Sequence, residues 1–144
     1  MKIDKTQMVA VTKALQMFPE LVEDNMKGAE KVAKYLVEEM SKIPHVKTVE
    51  SKIAEVGMER SWPLVGVLLD EEDLGMTMDE VASMLQLGNP PIWLYGPKSY
   101  SRVHFYKNPG LTMNCQTLYH GTRKFPGNER LVVKRFEEIL TKKR

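Results

Sequence analysis

Pro63-Leu64-Val65-Gly66-Val67-Leu68-Leu69 decides the fold. It is a continuous apolar run of strand length, opened by a proline and closed by Asp70-Glu71-Glu72-Asp73. Such a run suits a strand covered on both faces, because an edge or half-exposed strand would alternate apolar with polar. The run is far short of the roughly 18 residues that a membrane span requires. The four carboxylates after it predict an exposed turn, since adjacent carboxylates do not converge on one ion unless the loop folds back.

Upstream of this strand the period is helical. Asp4 and Gln7 stand as N-cap and N3. Met8, Val11, Leu15 and Phe18 then fall on one face, and Pro19 is expected to interrupt the pattern. A second helix is expected where Val32, Ala33, Leu36, Val37, Met40 and Ile43 form one stripe, ended by Pro44. Val46, Thr48 and Glu50 predict a short strand, and Lys52 to Arg60 is mixed.

Downstream, Thr77-Met78-Asp79-Glu80 is a capping box that starts a helix whose apolar face is Val81, Ala82, Met84 and Leu85. Gly88 lies where a left-handed C-cap is expected. Ile92 to Tyr95 predicts a strand, and Val103 and Phe105, with Tyr100, another. Leu111, Met113 and Cys115 alternate like a third. A last helix begins at Gly127 or Asn128 and buries Val132, Phe136, Ile139 and Leu140.

The order predicts one α+β domain over residues 1–144. It has a small antiparallel or mixed sheet of three to five strands with helices on one face, preceded by a helical N-terminal segment over residues 1–25. Composition agrees: 144 residues suit one domain, and 42% hydrophobic residues can fill a core. The net charge of +2 is too small to point to nucleic acid, and Lys142-Lys143-Arg144 more than accounts for it. Trp93, Tyr95, Tyr100, Phe105 and Tyr106 are interleaved with Lys98, Arg102 and Lys107, but core aromatics explain that stripe and no RNP-like motif accompanies it. Nucleic acid is therefore not the expected partner.

One cysteine, Cys115, excludes an internal disulfide and suits a reducing, cytoplasmic setting. The alternation predicts a buried thiol rather than a nucleophile. His45, His104 and His120 lack ligand-like spacing, so no metal is expected. The first residues hold no apolar signal-peptide core.

Three segments together resemble one family. They are Asp4-Lys5-Thr6-Gln7-Met8 leading into Ala14-Leu15; Leu74-Gly75-Met76-Thr77 through Gly88-Asn89-Pro90-Pro91-Ile92-Trp93; and Leu111-Thr112-Met113-Asn114 with Thr117-Leu118, Gly127-Asn128-Glu129 and Val132 to Leu140. In this order they resemble the C-terminal small domain of pyridoxal-phosphate (PLP) enzymes of fold type I. The branch is that of L-seryl-tRNA(Sec) selenium transferase and D-glucosaminate-6-phosphate ammonia-lyase. The resemblance implies a PLP-dependent transferase or lyase acting on amino-acid-like substrates.

It also implies that the Schiff-base lysine and the phosphate-binding groups lie upstream of Met1, so no catalytic or cofactor-binding residue is assigned here and the chain is not expected to act alone. The implied partners are the PLP-binding domain, or a companion chain carrying it, and further copies in a homo-oligomer. A face meeting that domain would be apolar and open in this chain alone, with the methionine-rich first helix and Trp62 or Trp93 contributing. The substrate-side candidates are Asn89, Tyr95, Lys98 and Arg102. Relatives carry an arginine shortly after the Pro-Pro-Ile element; Tyr95 stands there in this sequence, and Lys98 and Arg102 are the cations left to replace it. The alternative is a free-standing α+β binding or oligomerisation module without enzymatic activity.

Overall fold

The computed structural model describes residues 4–53, 63–97, 110–124 and 127–142. The predicted strand pairings of Val103 and Phe105, and the candidates Trp62, Lys98 and Arg102, lie outside them.

Helix α1 spans Lys5–Met40, 36 residues, with Pro19 inside it. The two helices expected on either side of Pro19 are one. The apolar stripe explains why: Met8, Val11, Leu15, Phe18 and Val22 run in phase with Ala29, Val32 and Leu36, at steps of three and four. A proline removes one hydrogen bond, yet the phase passes through it. The Asp4 side chain accepts from the Gln7 backbone N–H at 2.8 Å, and Gln7 Oε1 accepts from the Asp4 N–H at 3.0 Å. This is the predicted capping box.

Strand β1 (Val46–Ile53) runs antiparallel to β2 (Pro63–Leu69), and β2 runs antiparallel to β3 (Leu111–Asn114), giving the order β1-β2-β3. The apolar run 64–69 is thus the central strand, which is why it is apolar throughout. Val65, Val67 and Leu69 enter the core with Leu36 and Met40 of α1, Leu111 and Met113 of β3, and the last helix. The fold is α+β, with a three-stranded antiparallel sheet and helices packed against it.

Three departures have local causes. The acidic turn is a single helical turn, α2 (Glu71–Leu74), because Asp70 caps it by accepting from the Asp73 N–H at 3.1 Å. Cys115 does not extend β3: it opens α4 (Cys115–Lys124). That helix is rich in weak helix formers, so propensity does not announce it; packing on α1 and β2 holds it. Gly88 is not a left-handed cap. Helix α3 (Met78–Gln86) ends at Leu87 in the right-handed region, and Gly88 is small for another reason given below. The terminal helix, α5 (Asn128–Thr141), buries Val132, Phe136, Ile139 and Leu140 as the spacing predicts.

Candidate functional site

The element that carries the most specific part of the resemblance runs from the end of α3 to Pro97. Two hydrogen bonds tie it back to that helix. The Ile92 N–H donates to the Leu85 carbonyl at 3.0 Å, and Gln86 Nε2 donates to the Leu94 carbonyl at 2.8 Å. Asn89-Pro90 is a cis peptide. Arg135, reaching over from α5, donates from Nη1 to the Pro90 carbonyl at 3.3 Å. Its guanidinium occupies the space a Gly88 side chain would need, so Gly88 is there for close approach rather than for a left-handed turn.

Beyond the prolines the chain is extended but is not a full strand. Tyr95 and Thr112 exchange both backbone hydrogen bonds, each at 2.8 Å. This single bridge lies on the edge of β3 away from β2. The predicted alternation is present: Ile92 and Leu94 are buried, while Trp93 is 72% exposed and Tyr95 46%. Leu87, 87% exposed, and Met84 add to the open apolar surface of this region. Asn89 is exposed at the turn. Of the four substrate-side candidates, Asn89 and Tyr95 therefore sit on one continuous segment, and Lys98 and Arg102 lie outside the described residues. Sequence reasoning missed Arg135. It is 45 positions from Pro90, and its own helical surroundings give no sign of the contact.

A second polar cluster surrounds the start of β1. His45, at φ 67°, holds the left-handed conformation uncommon outside glycine. Its Nδ1 lies 2.7 Å from Asp73 Oδ2. Lys47 Nζ meets Asp70 Oδ2 at 3.3 Å, and the Met78 N–H donates to Glu71 Oε1 at 2.6 Å. The carboxylates thus turn to separate partners. The Asp70 carboxyl is held below its ordinary range, chiefly by the hydrogen bond from the Asp73 N–H and also by Lys47. Among the described residues no group of three or more His, Cys, Asp or Glu forms a metal cage.

A groove of about 460 Å³ runs between α1 and the sheet, lined by Met26, Ala33, Val37, Ser51 and Pro63 with charged residues on the helix side. Cys115 is buried, and burial pushes its thiol up to about 12, so it holds its proton at neutral pH and is no nucleophile there.

The described residues do not fit PLP as its imine partner. A Schiff-base lysine needs burial that lowers its pKa. Each lysine whose exposure is described is exposed, and Lys27 and Lys42 are shifted upward by hydrogen bonds from their ammonium groups to Glu23 and Glu39. No described helix is long and apolar enough to cross a membrane. Comparison with protein-family models, curated proteins and solved structures gives no match.

Proposed function

We propose that this chain is the C-terminal small domain of a cytoplasmic PLP-dependent transferase or lyase acting on amino-acid-like substrates, and that it supplies a border of the substrate cleft rather than the chemistry. The cofactor and its lysine belong to another domain or a companion chain. When bound there, PLP supplies an electron sink for reactions at an amino-acid carbon. This chain's part is to position and to exclude water.

The observation that carries the reading is the segment from Gly88 to Tyr95. It is the most specific piece of the resemblance, and it is anchored from three sides: by Leu85, by Gln86 and by Arg135. Those anchors fix Ile92 and Leu94 inward, so Trp93 and Tyr95 are held outward on a rigid edge. A contiguous open aromatic and aliphatic surface is unusual for a domain that works alone. A neighbouring domain seated on Leu87, Trp93 and Tyr95 would cover it. Tyr95, at the position where relatives carry an arginine, then presents a hydroxyl rather than a guanidinium to the cleft. That favours a hydrogen bond over a charge pair in recognising the substrate.

The test is spectroscopic. The chain is titrated with PLP alone and again with the lysine-bearing polypeptide encoded immediately upstream. An imine band is expected only in the second titration, and Trp93→Ala is expected to weaken assembly of the two parts. Absence of the band in both titrations overturns the reading.

A further inference from the structure

The first half of α1 carries an apolar stripe that nothing among the described residues covers. Met8, Val11, Leu15 and Phe18 are 58%, 51%, 68% and 60% exposed. From Gly28 onward the same stripe is buried: Ala29, Val32 and Leu36 pack in the core. The spacing of three and four residues is the one by which two helices mesh side by side. A helical arm of this length, about five turns, gains little stability in water without a packing partner.

Charge selects that partner. On a helical projection Lys5 and Glu23 both lie about 100° from the centre of the stripe, and to the same side. They stand at opposite ends of the open segment. A second copy running antiparallel sets its Glu23 beside Lys5, and its Lys5 beside Glu23, while the two helix dipoles oppose. A parallel copy would set Lys5 against Lys5. With Met8 of one copy opposite Phe18 of the other, and Val11 opposite Leu15, Lys5 and Glu23 fall within about 3 Å of level along the axis. Glu23 also meets Lys27 on its own helix at 2.9 Å, on an open surface where a carboxylate can accept from two ammonium groups.

We propose that two copies of this chain pair antiparallel through the first half of α1, along Met8, Val11, Leu15 and Phe18, with Lys5 of each against Glu23 of the other. The inference goes beyond the PLP reading and does not depend on it: it concerns another face, and it is tested without cofactor.

Sedimentation equilibrium of the full chain at micromolar to ~100 μM concentration checks it. A monomer–dimer equilibrium is expected. Leu15→Lys should abolish the dimer without lowering the thermal midpoint of the core, since Leu15 touches none of it. Lys5→Glu and Glu23→Lys should each weaken the dimer about threefold to tenfold at low salt, and the double variant should recover it. A monomer throughout the range overturns the proposal. So does a dimer indifferent to Leu15→Lys, or a double variant no tighter than the single ones. An imine band that fails to form leaves these results untouched, and a monomer leaves the PLP titration untouched, so either idea can fail alone.

Discussion

The two halves of α1 share one helix and one stripe, yet they live in different surroundings. From Gly28 to Met40 the stripe meets the sheet and the later helices, and its members are buried. From Lys5 to Leu21 every residue is exposed. Periodicity dictates the helix in both halves, because it is a local property of the chain. It does not dictate burial, which depends on what the rest of the fold brings to that face. The packed half has β2, α4 and α5; the open half has no such neighbour among the described residues.

The largest expected effect separates the halves directly. Leu36→Ala removes a fully buried side chain from the packed stripe and should cost about 2–5 kcal/mol of folding stability. Leu15→Ala, measured at concentrations where the chain is monomeric, should change stability by less than about 0.5 kcal/mol. Urea unfolding of both variants checks the contrast. Comparable losses would mean that the open half is packed after all.

Gly28 marks the junction, and the next effect is there. A β-carbon at Gly28 would overlap the ring of Tyr119, which donates from its hydroxyl to Asp24 at 3.2 Å. Gly28→Ala should destabilise by about 1–3 kcal/mol through overpacking. Part of that loss should return when Tyr119→Ala is added, and a double-mutant cycle measures how much. An additive cycle would dissociate the glycine from the ring.

The same contrast explains what could be read from sequence. Features set by near neighbours were legible: the apolar run of β2, the capping boxes at Asp4 and Thr77, and the buried face of α5. Features set by distant partners were not. Pro19 is a local helix breaker, but the stripe's phase carries the helix through it. The weak helix formers of α4 fold as a helix because α1 and β2 give them a surface. Gly88 has the position of a left-handed cap, but Arg135, remote in sequence, claims its space. The extended run Ile92 to Tyr95 has the alternation of a strand but pairs through one bridge, at Tyr95. For the candidate site, sequence placed Asn89 and Tyr95 on one segment but had no means of finding the side chain that clamps it.

Caps should follow the division as well. Thr77 Oγ1 accepts from the Glu80 N–H at 3.2 Å at the start of α3, a helix packed on β3 and α5. Thr77→Ala should therefore cost about 1 kcal/mol of global stability. Asp4→Ala removes an equally complete cap from the open half. Its loss should appear as fraying, seen in lower helical circular dichroism and faster amide exchange near residue 8, with the global unfolding midpoint unchanged. A shift of that midpoint would couple the arm to the core.

The smallest effect at neutral pH concerns Cys115, which opens α4, the helix against the packed half of α1. Burial raises its thiol from 9.0 to about 12. The folded chain thus keeps a proton that the unfolded chain releases near 9.0. The stabilisation is fully present below that pH and is lost as pH rises toward 12. Cys115→Ala should leave a shallower alkaline decline in stability, at the expense of a small cavity whose cost is the same at every pH. The thiol of the intact chain should resist alkylation at pH 8 until denaturant is added. The helicity of the open arm should follow neither change, because Cys115 lies in the core that the arm does not touch. Rapid alkylation under native conditions would show α4 opening without the rest of the fold, and the division would then run through the packed region rather than along α1.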